Sequence, residues 1–330
     1  MVELMPAKRS VIACPESAVA DEYQSKFGNW DQRASVRVKP SRVLAQPSDD
    51  QVYFPPELVP VVSHPIVRDA APGTVRRILV ERLCHYLHFT TELESVAVLP
   101  VTVALSRGRD DLGLAAGMRQ DAFKISTDEA WHAQFSHDLM TQVAAETGIA
   151  PTTAEPAFVR RLEEIRALMQ PELRGAQSLA FCIVSETLIS AILSDLPRDR
   201  RLPAAVRDLV RDHAEDEGKH HAYFHGVLKY FWHSLSPRQR RLLGPWLPEL
   251  VTVFLEPDYP AVARSLLAAG LGTGEAEAVM AESYEAADVR ASIAEASRTT
   301  IRYFVEIGAL DDPGTLDAFH AAGLTEGLSL

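Results

Sequence analysis

Apolar residues recur at intervals of three and four from Gly73 onward, the spacing of helices that bury one face. Between residues 236 and 257, prolines break the pattern into shorter pieces. Alternating β-branched runs with hairpin turns are almost absent. The sequence therefore predicts an all-α fold, with four long helices at its centre and additional C-terminal helices. The predicted helices cover residues 74–99, 112–146, 156–169, 172–196, 204–235, 260–270 and 275–308.

The first 72 residues lack this pattern. Residues 1–50 show no sustained periodicity and carry scattered charges, which predicts an extension that is partly disordered or draped over the body. Residues 51–72 are rich in proline, which excludes a long helix and predicts an extended arm against the core. We therefore expect an N-terminal extension over residues 1–50 and a single helical domain over residues 51–330.

Charge and cysteine content narrow the possible partners. The net charge of −12 gives no basic excess, so neither nucleic acid nor an anionic membrane is expected as a partner. No apolar run approaches the roughly 20 residues that span a bilayer, and the N-terminus lacks the apolar stretch of a signal peptide. We expect a cytoplasmic protein. Cys14, Cys84 and Cys182 are odd in number and widely spaced, which argues against a disulfide framework or a Cys-type zinc site.

The strongest chemical signal is a pattern that occurs twice. Asp-Glu-x-x-His is present as DEAWH at residues 128–132 and as DEGKH at residues 216–220. With independent placement of residues, two copies arise by chance in about one sequence in 800 of this composition. Side chains three apart on a helix project from one face. The glutamate and histidine of each copy can therefore bind one metal ion, and the alternative for both copies is a solvated helix face.

Di-iron and di-manganese helical bundles add one glutamate from each of two further helices to two Glu-x-x-His pairs. The first long helix offers Glu81, Glu92 and Glu94, and the fourth offers Glu186 within the apolar stretch CIVSETLISAIL. A carboxylate in such surroundings is costly unless it is paired or binds metal. Glu92 and Glu94 are about 200° apart on a helix, and apolar neighbours favour Glu94 as the one that faces the core. The alternatives are a buried ion pair for Glu186 and a surface charge for Glu94.

The second copy of the motif belongs to a longer stripe. His213, Glu217 and His220 are spaced i, i+4 and i+7, so they share one helix face, and His213 is a candidate seventh ligand. Its alternative is a hydrogen bond to Glu217 without metal. Nitrogen and oxygen donors without thiolate suit iron or manganese, and four carboxylates balance the charge of two divalent ions. The candidate ligands are Glu94, Glu129, His132, Glu186, His213, Glu217 and His220.

Asp128 and Asp216 each precede a motif glutamate. Metal-bound histidine usually donates its other N–H to a carboxylate or carbonyl group. We therefore expect each aspartate to orient a ligand histidine on the partner helical hairpin. The alternative for both residues is a simple surface charge.

The ordered ligand set, with His213 as its distinguishing member, resembles that of the p-aminobenzoate N-oxygenase family of ferritin-like non-haem di-iron oxygenases. The resemblance runs from about residue 55 to 312, and residues 1–50 have no counterpart in it. It implies a ferritin-like four-helix bundle, a homodimer, two iron ions, O2 as co-substrate and an external electron donor. It also implies oxidation of a free or carrier-tethered aromatic amine to hydroxylamine, nitroso or nitro products, mostly in natural-product biosynthesis. The ligands alone leave manganese open as the metal.

Three residues are candidates for contact with the substrate. Tyr86 lies two turns before Glu94 on roughly the same helix face, and the resembling family has a tyrosine at this place. Arg298 and Arg302, on the last predicted helix, are candidates for holding a substrate carboxylate through bidentate hydrogen bonds. For each arginine the alternative is a surface charge.

Other functions share parts of this pattern. The near alternative is an enzyme of the same fold that hydroxylates, desaturates or cleaves its substrate at carbon. Only the seventh ligand, His213, distinguishes N-oxygenation from this alternative in the sequence. A metal-storage or metal-dependent structural protein is typically a bare four-helix unit, whereas this chain adds a proline-rich arm and C-terminal helices. A helical binding module without metal predicts a stability that metal removal leaves unchanged. No phosphate-binding G-x-x-x-x-G-K-[ST] loop, dinucleotide fingerprint after a strand, or G-x-S-x-G elbow is present.

Overall fold

Helices are the regular secondary structure of the described part of the chain. The computed structural model describes residues 23–45, 51–109, 112–151, 154–192 and 196–326, and these contain no β-strand, so the predicted all-α class is confirmed. In chain order the α-helices are α1 Trp30–Arg33, α2 Ser35–Val38, α3 Pro65–Arg68, α4 Thr74–Glu92, α5 Leu99–Ser106, α6 Ala116–Thr147, α7 Ala157–Leu168, α8 Arg174–Ile192, α9 Ala204–Ser234, α10 Pro237–Leu243, α11 Leu247–Leu255, α12 Tyr259–Ala268, α13 Thr273–Ser283, α14 Ala286–Glu306 and α15 Pro313–Ala321. Short 3₁₀ turns occur at Pro56–Leu58, Pro60–Ser63, Pro171–Leu173, Leu196–Arg198, Gly244–Trp246 and Ala309–Asp311.

Two helical hairpins form the central bundle. In the first, α4 and α5 pack against α6; in the second, α8 packs against α9. The two hairpins meet where α6 packs against α9. Leu83 and Leu87, one turn apart on α4, and Phe224 of α9 lie in the interior and are fully buried. The predicted four long central helices, followed by further C-terminal helices, are confirmed.

α8 is apolar on nearly all sides and therefore needs neighbours on all sides. Phe181, Cys182, Ile183 and Val184 are consecutive, and each is at most 1% exposed. α8 packs against α9, and α11 and α14 also pack against α8. Burial all round is what a nearly continuous apolar helix requires. The C-terminal helices thus complete the core around the helix that carries Glu186.

The helix that carries Glu94 contains an irregular turn. α4 passes through a π-helical turn, Leu93–Val98, into α5, so the helix continues to Ser106 instead of ending near residue 99 as predicted. Pro100 has no N–H, and its ring excludes the carbonyl group four residues earlier, which disrupts a regular helix. The wider turn lies directly before this proline. Turns of this kind commonly position functional side chains, and Glu94 lies in it.

The same helical run also has the length and composition of a membrane span. Residues 74–106 are long and apolar enough to span a bilayer, although no such run was expected from the sequence. Half of its most apolar window is buried inside the protein, and the run packs against α6 within the first hairpin. The helical core accounts for its apolar composition, because buried core helices share that composition with membrane spans.

Residues 23–45, here called the N-terminal segment, lie across α6 and α9. α2 packs against both helices, and Phe27 and Ser35 are 1% exposed. Lys39 and Arg42 bind Asp212 of α9, with Lys39 Nζ 3.3 Å from Oδ1 and Arg42 Nε 2.7 Å from Oδ2. Burial and ion pairs therefore hold this part of the predicted extension on the bundle. The remainder of the extension lies outside the described residues.

The proline-rich arm packs on the bundle through its valines. Residues 51–72 form 3₁₀ turns and the single-turn helix α3, because their prolines prevent a longer helix. Val61 and Val67 of this arm are at most 1% exposed. The arm thus adds to the core without adding a long helix.

The C-terminal region departs from the predicted boundaries. The helix expected over residues 275–308 is two helices, α13 and α14, separated at Tyr284. α15 was not predicted, although its start follows a common pattern: the Asp312 side chain accepts a hydrogen bond from the Thr315 N–H at 3.1 Å, and Pro313 is the first helical residue. Its shortness explains the omission, since one short helix gives little periodicity.

Substitution of glycine by alanine is expected to change the free energy of unfolding in opposite directions at Gly148 and Gly175. Gly148 ends α6 with φ +67°, which strains a side chain, so Gly148→Ala is expected to lower the free energy of unfolding by about 1 kcal/mol. Gly175 lies within α8 with no atom within 4 Å of an added Cβ, so Gly175→Ala is expected to raise it by about 0.5–1 kcal/mol. Denaturant unfolding followed by circular dichroism measures both. Equal destabilisation at the two positions would contradict the helix boundary at Gly148.

Candidate metal centre

The four bundle helices bring seven ionisable side chains to one place in the core. The π turn after α4 contributes one, α6 two, α8 one and α9 three, and each is at most 2% exposed. Those on one helix are three or four residues apart, so they project from one face towards the other helices. The seven residues are Glu94, Glu129, His132, Glu186, His213, Glu217 and His220.

Ligand atoms in this cluster fall into two overlapping groups. Within each group every ligand atom lies within 4.8 Å of the others, and the groups are Glu129, His132, Glu217, His220 and Glu94, Glu129, Glu186. Glu129 is shared. One of its oxygens lies 2.8 Å from His132 Nδ1, and the other lies 2.8 Å from His220 Nδ1.

His213 faces the same place from α9. Its Nε2 atom lies 3.1 Å from Glu217 Oε1 and 3.8 Å from Glu94 Oε1. The spacing of four residues between His213 and Glu217 produces the shorter contact, because such residues are neighbours on a helix surface. The third imidazole therefore adds a nitrogen donor to the six other side chains.

Many potential metal-ligand atoms in the cluster lack a hydrogen-bond partner among the residues that the structure describes. A buried polar atom without a partner costs about 1–3 kcal/mol, and more when it is charged. Native proteins rarely leave several such atoms together without a functional reason. These atoms carry lone pairs directed at a common space, so bound cations would satisfy them. They are Glu94 Oε2, Glu129 Oε1, Glu186 Oε2, His213 Nε2, Glu217 Oε1, Glu217 Oε2 and His220 Nδ1.

The electrostatics of the cluster also favour bound positive charge. Burial raises the pKa of Glu94, and the carboxylate of Glu129 raises it further. Burial likewise raises the pKa of Glu186, with repulsion from Glu217 in the same direction. Burial opposes charge on His132, but the carboxylates of Glu129, Asp216 and Glu217 together outweigh burial and raise the pKa of His132. Protons or other cations must therefore balance the cluster, and two divalent ions match its four carboxylates.

Each motif aspartate contacts the histidine of the other helix. His220 Nε2 lies 3.3 Å from Asp128 Oδ2, and His132 Nε2 lies 3.4 Å from Asp216 Oδ2. A carboxylate at Nε2 favours the proton there and leaves the Nδ1 lone pair for the cluster. Burial opposes ionisation of Asp216, but the hydrogen bonds from His132 and Ser35 and the nearby imidazole charges together outweigh it and lower the pKa of Asp216 to about 2. That carboxylate is therefore ionised at neutral pH.

Sequence comparison agrees with this geometry. The family model described as P-aminobenzoate N-oxygenase AurF matches residues 24–308, which is most of the chain. The chain belongs to the p-aminobenzoate N-oxygenase family. The 4-aminobenzoate N-oxygenase of Streptomyces thioluteus is 27% identical over 257 residues, which cover 74% of this chain and 75% of that protein. The family match begins at residue 24, so it includes most of the N-terminal segment, for which the sequence analysis had found no counterpart.

Membership in the p-aminobenzoate N-oxygenase family confirms the resemblance carried by the seven spaced residues. The chain is an oxidoreductase of the oxygenase class, with a small-molecule amine as the kind of substrate that N-oxygenation requires. N-oxygenation is favoured over the alternatives that act on carbon. The family is one of di-iron oxygenases, and the buried glutamates and histidines form groups that could hold metal.

Tyr86 lines a cavity of about 480 Å³, and its hydroxyl is within reach of the charges of two cluster glutamates. Its side chain lines the cavity, is 4% exposed, and has no hydrogen-bond partner for its hydroxyl among the described residues. Burial raises the pKa of Tyr86, and the charges of Glu94 and Glu217 act in the same direction. The hydroxyl therefore stays protonated between the cavity and the cluster. Much of the cavity wall is aromatic, with Phe89, Phe158, Phe254 and Tyr284.

Arg82 is a functional candidate that the sequence analysis missed. It lines the cavity one turn before Tyr86, and its guanidinium lies 4.7 Å from the centre of the Phe54 ring. Burial lowers its pKa, and it forms no salt bridge with the described residues. The sequence gives one indication of its role: Arg82 lies four residues before Tyr86, which places both side chains on one helix face.

The other basic side chains that line the cavity carry no uncompensated charge. Arg161 forms salt bridges with Glu249 and Glu256. Burial lowers the pKa of His85 to about 4, so its imidazole is neutral at pH 7. Arg82 is thus the cation of this cavity that forms no salt bridge among the described residues, although the charge of Asp258 in the same wall acts on it.

Arg298 and Arg302 lie away from the cavity and the cluster. Both are exposed on α14, where Arg298 pairs with Glu295 and Arg302 donates a hydrogen bond to Thr299 Oγ1 at 3.1 Å. Neither lines the cavity. The buried face of α14 carries other residues, among them Thr300, which donates a hydrogen bond to Thr187 Oγ1 at 3.0 Å.

Glu186→Gln is expected to reduce bound Fe(II) from two ions per chain to one or fewer, because it removes a carboxylate from the buried cluster. The metal-free variant is expected to stay folded, since a neutral amide removes the repulsion that raises the pKa of Glu186. Metal analysis after anaerobic loading, with a thermal melt, measures both. Glu81→Gln on α4, next to Arg77, is the matched control and is expected to keep two ions. Two ions in Glu186→Gln as well would contradict the ligand set.

Metal binding is expected to release protons at neutral pH and to weaken as the pH falls. Without metal the pKa values of Glu94, Glu186, His132 and His220 are raised, whereas metal ligands must be deprotonated. These raised pKa values let protons compete with the metal, so the Fe(II) affinity is expected to be lower at pH 6 than at pH 8. Calorimetric titration of Fe(II) in two buffers with different ionisation enthalpies counts the released protons. An affinity that is equal at both pH values would be inconsistent with these ligands.

Proposed function

We propose that the chain binds two iron ions in the cluster and uses O2 to oxidise an aromatic amine at nitrogen. The observation that carries the proposal is the convergence of four buried carboxylates and three imidazoles, several of whose oxygen and nitrogen atoms lack a hydrogen-bond partner among the described residues. Activation of O2 and delivery of oxygen to the amine are the chemistry that iron supplies in such a site. Manganese suits the same donors, and membership in a di-iron family favours iron.

In this proposal the seven side chains bind and orient the metal ions. Glu129 belongs to both groups of ligand atoms, so it is suited to serve both ions. Asp128 and Asp216 fix the imidazoles of His220 and His132 through their Nε2 atoms. All of these side chains are at most 2% exposed, so the protein excludes bulk water from the reacting atoms.

We infer that the substrate is an aromatic amine that carries an acidic group. The aromatic cavity wall suits a planar ring, and the guanidinium of Arg82 forms no salt bridge among the described residues. Arg82 is partly buried, so a substrate carboxylate could bind its guanidinium through bidentate hydrogen bonds. An amine at the opposite end of the ring would then approach Tyr86 and the cluster. The relative from S. thioluteus supports this class, since its name specifies 4-aminobenzoate.

The electron balance requires a further reactant. Conversion of an amine to a hydroxylamine places one atom of O2 in the product and the other in water, which consumes two electrons and two protons from outside the substrate. An external electron donor is therefore part of the proposal. Repetition of the same step leads towards nitroso and nitro products. A carrier-tethered substrate and a homodimer stay predictions.

Arg82→Gln is expected to raise the KM for 4-aminobenzoate about 10- to 100-fold, because hydrogen bonds to charged groups contribute about 1.5–3 kcal/mol. The KM for uncharged aniline is expected to change by less than about twofold. Steady-state assays with both amines separate the charge effect from damage to the site. Arg161→Gln is the control, since Arg161 lines the same cavity but is already paired. An equal rise for both amines in Arg82→Gln would contradict the anchor.

A product assay tests the function itself. Protein loaded with Fe(II) without air is mixed with a panel of aromatic and aliphatic amines, ¹⁸O2 is admitted with a chemical reductant, and product masses are read. The expected result is ¹⁸O on nitrogen, as a hydroxylamine, nitroso or nitro product of an acidic aromatic amine. ¹⁸O on carbon, or a desaturated product, would replace N-oxygenation with the alternative reaction on carbon.

A further inference from the structure

The N-terminal segment contacts the two aspartates that touch the cluster histidines. Trp30 Nε1 donates hydrogen bonds to both carboxylate oxygens of Asp128, each at 2.9 Å. The backbone N–H of Ser35 donates to Asp216 Oδ2 at 3.0 Å. Both aspartates are 1% exposed. Each therefore receives one donor from the N-terminal segment and faces one histidine of the cluster.

These contacts form two parallel chains of hydrogen-bond contacts, each running from the N-terminal segment to a histidine of the cluster. On one side Asp128 Oδ2 lies between Trp30 Nε1 and His220 Nε2, at 2.9 and 3.3 Å. On the other side Asp216 Oδ2 lies between the Ser35 N–H and His132 Nε2, at 3.0 and 3.4 Å. In both cases the carboxylate oxygen that faces the imidazole also accepts a hydrogen bond from the segment. The orientation of each carboxylate is therefore tied to the segment.

Ion pairs and ring stacking hold the N-terminal segment against α9. Lys39 and Arg42 bind Asp212, which directly precedes His213 on α9. Phe27 stacks on the imidazole of His220, with ring centres 6.0 Å apart and ring planes 18° apart. The segment therefore fixes the His220 ring from its face as well as through Asp128.

We propose that the N-terminal segment is a positioning element for the metal-binding histidines, with Trp30 and the Ser35 N–H as its donors; this rests on the proposed metal centre. Without its donor from the segment, each buried carboxylate loses a partner and a constraint on its rotation. The imidazole that it orients then loses a fixed direction for Nδ1. Partners beyond the ligands typically change metal affinity about 10- to 100-fold.

Two substitutions remove the donors with little other change. Trp30→Phe removes the indole N–H and keeps an aromatic ring. Ser35→Pro removes the backbone N–H at the first residue of α2, where proline fits a helix. The preceding Ala34 has φ −59° and ψ 136°, a conformation that residues before proline favour. The controls are Trp246→Phe, at another half-buried tryptophan, and Ser35→Ala, which keeps the N–H.

The test compares Fe(II) binding with metal-free stability. Fe(II) dissociation constants are measured without air by competition with a chelator, melting temperatures are measured without metal, and Mössbauer spectra are recorded with bound ⁵⁷Fe. We expect Trp30→Phe and Ser35→Pro each to weaken Fe(II) binding about tenfold and to alter the spectrum. The controls are expected to stay within about twofold of the wild type. In the double variant the two losses are expected to multiply, because the chains reach different histidines.

Some results would overturn the proposal. Wild-type Fe(II) affinity and spectra in both variants, with only a lower metal-free melting temperature, would show that the segment merely packs on the bundle. The proposed metal centre would then still stand. A wild-type protein that takes up no Fe(II) would overturn the metal centre and this proposal together. If one variant does not fold, the other decides, because each removes a separate donor.

Discussion

Four carboxylates and three imidazoles are buried together in a helical core, and the rest of the structure depends on this one electrostatic constraint. Charge in a protein interior is costly unless it is compensated. Among the described residues the close ion contacts of the four glutamates are with histidines of the same cluster. Protons can balance part of this charge, but they leave lone pairs directed at a common space. Two divalent ions would satisfy both the charge and the lone pairs.

The architecture follows from the need to supply these ligands and to keep water from them. Each hairpin contributes one glutamate from its first helix and a Glu-x-x-His pair from its second. The two hairpins therefore supply the same arrangement of candidate ligands. The π turn presents Glu94, and α11 and α14 complete the cover of α8, which carries Glu186. The N-terminal segment closes the outer side of α6 and α9 at the two aspartates. Tyr86 lines the neighbouring cavity, and the charges of Glu94 and Glu217 act on its hydroxyl.

The sequence predicts most of the bundle because helix geometry converts spacing into a shared face. That rule was enough to group Glu129 with His132 and to select Glu186 from its apolar surroundings. It does not reveal the N-terminal segment, since Trp30 reaches Asp128 across 98 positions and the Ser35 N–H reaches Asp216 across 181, with no local periodicity. A period of 3.6 residues also hides a π turn, for which Pro100 was the only local sign. For Arg298 and Arg302 the helix was foreseen, but tertiary packing decides which face of it meets the core.

The most direct test of the account is a crystal structure of the protein loaded with Fe(II), with anomalous diffraction recorded on both sides of the iron absorption edge. The account predicts two anomalous peaks about 3.5–4 Å apart, surrounded by the four glutamates and three histidines of the cluster. Iron located elsewhere, or a cluster that stays free of iron when the metal is present in excess, would contradict it.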